Sequence, residues 1–137
     1  MNWKLILLLS LFGLAMAIGT VFVIRSKIEP FFWLGIFLIC AWAIAAYAPG
    51  KFFLHGFLLG IANSVWVTAA HILLYDPYIA RHPNEAAMMA SGPMAQHPRL
   101  MMAITGPVVG ILSGLVLGLF AWIAGKLTRS RTTPAAA

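Results

Sequence analysis

The chain has 137 residues, of which 62% are hydrophobic and 9% charged, with a formal net charge of +6. A soluble globular domain carries about a quarter charged residues, so this composition excludes an ordinary water-facing surface. The basic residues flank apolar runs instead of forming a stripe with interleaved aromatics. That placement excludes nucleic acid as a partner and points to lipid head groups.

The first uncharged run, Leu5–Ile24, follows Asn2-Trp3-Lys4. Its opening resembles a secretory leader, with Ala15-Met16-Ala17 as a small-residue cleavage site. The apolar run continues through Val21, Phe22, Val23 and Ile24 to Arg25. A length of about 20 residues fits a retained span better than a removed leader. Small residues sit at Gly13 and Ala17, and at Ala15 and Gly19.

A short link, Arg25–Pro30, leads to the second run, Phe31–Ala48. Its Cys40 is the only cysteine, which leaves no intrachain disulfide, and it reads as a small buried apolar side chain. Pro49-Gly50-Lys51 then turns the chain into the third run, Phe52–Tyr75. Here Gly56, Gly60, Ser64 and Thr68 repeat every fourth residue. On a helical wheel Gly60, Ser64 and His71 share a face about 40° wide, with Asn63 and Thr68 at its edges. Asn63, Ser64, Thr68 and His71 are therefore the candidate polar site. His71 reads either as a proton or ligand contact or as an interhelical hydrogen-bond partner. His55 faces elsewhere, at the opposite rim, and reads as interfacial.

The third link, Asp76–Arg99, is long enough to carry structure of its own. Pro83–Ala90 is predicted to form a short helix, with Pro83 and Glu85 suited to its first turn and Gly92 to its end. Met88 and Met89 are expected to press toward the bilayer surface. His82 and His97, with Met88 and Met89, are weak candidates for a soft metal such as Cu(I). Their spacing matches no compact metal motif, and no cofactor is expected.

The fourth run, Leu100–Gly125, carries Gly106, Gly110, Gly114 and Gly118 at intervals of four. Each interior glycine costs about 0.5–1 kcal/mol against alanine, so close backbone contact is expected in return. The stripe is predicted to pack on the first or third helix, together with Gly56 and Gly60 of the third. Its rival use is homo-oligomerisation or contact with a membrane-protein partner. Pro107 is expected to loosen the first turns of this helix. The tail from Thr128 to Ala137 is expected to be disordered.

The expected fold is thus all-α: one membrane domain over residues 1–127, an antiparallel bundle of four transmembrane helices with a short helix in the third loop. The terminal side carries five basic residues and the other side four, which points to a bacterial cytoplasmic membrane with both termini in the cytoplasm. Paired carboxylates, a Ser/His/Asp order and a phosphate-binding glycine loop are all missing from the sequence, so an enzyme is not expected. Two functional readings follow. One is a non-enzymatic accessory or assembly protein acting through helix packing. The alternative is a small carrier or channel for a solute, proton or metal ion. A carrier needs a polar cavity between helices, and a packing protein has that face sealed.

Overall fold

The computed structural model describes residues 1–130 and contains six helices, with no strand among the described residues. Helix α1 spans Trp3–Phe22 and is capped by Asn2, whose side chain accepts from the Leu5 N–H. Helix α2 spans Glu29–Tyr47. Pro30 fits its first turn, where a missing N–H costs nothing, and Glu29 sits at the positive end of the helix dipole. The chain reverses through Gly50 and Lys51, whose φ values of 140° and 51° permit the tight turn. Helix α3 spans Phe52–Leu73, α4 Tyr75–Arg81, α5 Pro83–Ser91 and α6 Pro98–Ser130.

Four of these helices, α1, α2, α3 and α6, are long and apolar enough to cross a membrane. Large apolar side chains such as Leu7, Leu38, Trp42 and Leu112 stand exposed on their outer faces. Together these features suggest a multi-pass membrane protein, because lipid is the solvent that such a surface tolerates.

The link between α3 and α6 departs from expectation. It holds two helices, α4 and α5, where one was predicted. Pro77 falls in the first turn of α4 and is tolerated there, while Tyr78 is buried against Val21 and Met102. Of the two methionines expected at the bilayer surface, Met88 is exposed, whereas Met89 turns inward onto that same cluster. Helix α6 is longer than its apolar run at both ends and is continuous through Pro107. Thr128 to Ser130 therefore belong to a helix, and the remainder of the expected tail lies outside the described residues.

Helix α1 packs on α3, α3 on α6 along its length, and α6 on α2. An apolar cluster closes the terminal end. It joins Leu5, Ile6 and Leu9 of α1, Cys40, Ala41 and Ile44 of α2, Leu59 of α3, and Leu117 and Ala121 of α6. The start of α1 and the start of α3 are tied together there. The Asn2 N–H donates to His55 Nε2 at 2.9 Å, and His55 Nδ1 lies 3.0 Å from the Lys51 carbonyl oxygen. His55, read from sequence as interfacial, is fully buried. At the opposite, loop end, Val21, Tyr78 and Met102 form a smaller cluster under α4 and α5.

The α3–α6 contact runs in a four-residue register. A Cβ added at Gly56 would stand 2.6 Å from the Leu117 carbonyl oxygen, and one at Gly60 would fall on the backbone of Gly114. Farther toward the loop end, Gly110 faces the Ser64 side chain and Gly106 faces that of Thr68. A Cβ at Gly118 would stand 2.9 Å from the Phe53 carbonyl oxygen. Backbone meets backbone at the terminal end, and side-chain hydroxyls fill the same groove at the loop end. By contrast, Gly35 of α2 has nothing within 4 Å of an added Cβ.

This difference is testable by thermal melts in detergent. Gly60→Ala and Gly114→Ala should each cost about 1–3 kcal/mol, because neither backbone can yield to the new methyl. Gly35→Ala should instead be neutral or gain about 0.5–1 kcal/mol from helix propensity. Equal melting of all three variants would contradict the described contact.

Candidate functional site

Toward the loop end the four long helices do not close on one another. Between α2 on one side and α3 with α6 on the other lies a cavity of about 640 Å³. That volume falls within the range of small-molecule sites, about 300–1,000 Å³. The apolar cluster at the terminal end closes it from below.

Helix α3 supplies the polar wall. Spacings of three and four residues bring Asn63, Ser64, Val67, Thr68 and His71 onto the cavity. All four residues of the candidate polar site therefore line one space. Asn63 is 3% exposed, lies against Gly13 of α1, and has neither Oδ1 nor Nδ2 paired. A buried amide left this way costs about 1–3 kcal/mol, which a polar ligand facing it would relieve. Ser64 donates its hydroxyl back to the Ile61 carbonyl at 2.8 Å.

His71 is held from two sides. Thr20 Oγ1 donates to the Ala17 carbonyl and lies 2.9 Å from His71 Nε2, which fits an Nε2–H donor on the histidine. The imidazole also stacks on Tyr78 with ring centroids 3.9 Å apart. Tyr78 in turn stacks on His82 at 4.3 Å, so three rings bridge α3 and the α4–α5 corner. His82 is fully buried; its Nδ1 lies 2.9 Å from the Tyr78 carbonyl oxygen, and its Nε2 is unpaired.

Helix α2 supplies an aromatic wall. Trp33 and Phe37 line the cavity and meet edge to face, and the Trp33 indole N–H donates to Glu29 Oε1 at 3.1 Å. Glu29 at the start of α2 and Glu85 in the first turn of α5 complete the rim. Glu85 Oε2 is buried and unpaired. Burial, then the negative charges of Glu85 and Glu29, push the Tyr78 phenol well above its ordinary value near 10.

Sequence reasoning missed four of these residues as site groups. Glu85 was read as a helix-terminal residue, while Glu29, Trp33 and Tyr78 carried no motif. The Glu29–Trp33 spacing of four was the available signal, since it places an indole over the helix's first carboxylate. The weak metal candidates are not gathered. His82 is buried behind Tyr78, Met88 faces outward, and His97 is exposed in a separate cleft beside Asp76 and Arg99. Among the described residues no three His, Cys, Asp or Glu side chains form a metal-binding group.

Comparison with protein families, with curated proteins and with solved structures finds no match. The site is therefore read on its own chemistry.

The Tyr78 environment has a pH signature. A raised folded-state pKa means that the stability carried by the neutral phenol is intact below about pH 10 and falls as pH rises beyond it. In an alkaline absorbance titration, the tyrosinate step that disappears in Tyr78→Phe should lie above 10. A missing step at or below that value would contradict the described burial.

Proposed function

We propose that this chain is an integral membrane protein, an antiparallel bundle of α1, α2, α3 and α6, whose loop-end cavity binds a small solute. It acts as a carrier or binding component for that solute. The observation that carries this reading is the cavity itself. Asn63, Ser64, Thr68 and His71 of α3 all line about 640 Å³ of space, even though Ser64 and Thr68 also pack on Gly110 and Gly106 of α6. Polar groups at that depth in a bilayer are costly and mark ligand pathways.

The assembly reading loses its main support. The stripe Gly106, Gly110, Gly114 and Gly118, which would serve an interface with another chain, faces α3 of the same chain. A through-channel is disfavoured by the apolar cluster that closes the terminal end. The site is read as binding and not catalytic, since the Ser64 hydroxyl is committed to a backbone carbonyl and Thr68 fills the Gly106 groove. With both termini in the cytoplasm, the cavity opens away from it. The basic residues Lys4, Lys51, Lys126 and Arg129 then sit on the anionic side of the membrane.

Thiol labelling in native membranes tests the cavity. In a Cys40→Ala background, Ser64→Cys and Ser113→Cys should react with a small water-soluble thiol reagent. Leu59→Cys and Leu117→Cys, placed in the closed end, should stay unreacted. Protection of Ser64→Cys equal to that of Leu59→Cys would remove the cavity and the proposal with it.

A further inference from the structure

The charges around the cavity are sorted more sharply than the chain's composition would give. The whole sequence holds nine lysines and arginines against three acids. Two of the three acids, Glu29 and Glu85, line the cavity, and none of the eight lysines and arginines among the described residues does. The third acid, Asp76, lies outside it and pairs with Arg99 at 3.9 Å. Among the described residues neither Glu29 nor Glu85 has a lysine or arginine partner. In a chain of net charge +6, the lining of this cavity holds two carboxylates and, among the described residues, no lysine or arginine.

Opposite the polar face of α3, the walls are largely aromatic and apolar. Trp33 and Phe37 stand on one side, Tyr78 on another, and Met89 and Met102 fill between. Ring faces attract cations, and thioethers adapt to irregular apolar shapes. A small inorganic cation is poorly served here. An ion such as Ca²⁺ asks for about six to eight oxygen ligands at short range, and among the described residues no three His, Cys, Asp or Glu side chains group to anchor it. The unpaired Asn63 amide, buried and on the cavity wall, adds one point of polar contact at depth.

We propose that the solute is a monovalent organic cation with apolar bulk, a quaternary or protonated amine or its onium analogue. Glu29 and Glu85 receive the charge, and Trp33, Phe37 and Tyr78 receive the hydrocarbon. This inference rests on the solute-cavity reading above and narrows its substrate class. Trp33 holds the Glu29 carboxylate through its indole N–H, so it is a positioning residue as well as a wall.

Equilibrium dialysis on the purified full-length chain in detergent provides the test, with micelles alone as background. The probes are tetraphenylphosphonium, the smaller benzyltrimethylammonium, and tetraphenylborate as the anionic counterpart of the first. At least one cation should bind saturably, and tetraphenylborate should not. Glu29→Gln and Glu85→Gln should each weaken cation binding about tenfold, and the double variant should lose saturable binding. Melting curves confirm that the variants are folded. Failure of both cations to saturate would overturn the proposal, as would equal uptake of tetraphenylborate or full binding by a folded double variant. The bound cation should also slow labelling of Ser64→Cys. Labelling that tetraphenylborate slows and the cations do not would leave the solute cavity standing and remove the cation. A Ser64→Cys that never labels would remove the cavity itself.

Discussion

The α3–α6 contact sets the spacing of everything else. Gly60 and Gly114 leave no room for a Cβ between the two backbones, and the same register carries Gly110 onto Ser64 and Gly106 onto Thr68. In lipid, apolar side chains gain little by leaving one helix surface for another, so helices associate through close van der Waals fit and hydrogen bonds. Small residues make that fit possible, and their helix-propensity cost is offset only if the backbones do approach. Helix α1 joins this pair through polar contacts of its own. The Trp66 indole N–H donates to Ser10 Oγ at 3.2 Å, and Thr20 meets His71.

Helix α2 is attached differently, and the cavity is the result. Its second half, with Cys40, Ala41 and Ile44, is embedded in the terminal-end cluster. Its first half carries Trp33, Leu34 and Phe37 along the cavity wall, and Gly35 meets nothing. One end of the molecule is therefore packed and apolar, and the other is parted around polar groups. The short helices α4 and α5 do not fill the parting. They bring Tyr78, Glu85 and Met89 to its rim and brace it through the His71–Tyr78–His82 stack. A packed half holding an open half in register is the arrangement that the proposed binding site needs.

Much of the helical layout was legible in the residues. Uncharged runs of span length, broken by Pro30 and by Pro49-Gly50, gave the four long helices to within a few residues. The polar face of α3 could be read because helical periodicity is local. The rest depended on contacts distant in sequence. Helix α4 was missed because Asp76 and Pro77 end the apolar run, and only burial of Tyr78 against Val21 and Met102 makes it a helix worth forming. His55 was placed at an interface because nothing local shows that the Asn2 N–H reaches it. Glu85 was read as a helix-terminal charge, a sufficient local account, and Glu29 fell in the link before the second apolar run. Their convergence on one space follows from where α2 stands away from α6, which no single helix encodes.

Magic-angle-spinning NMR in lipid bilayers, with ¹³C at glycine Cα, tests the central contact without altering the chain. Cross-peaks between Gly60 and Gly114 and between Gly56 and Gly118 should appear, and they should persist when the labelled protein is diluted with unlabelled copies. Their absence, or their loss on dilution, would place the glycine seam elsewhere or between molecules and contradict the account.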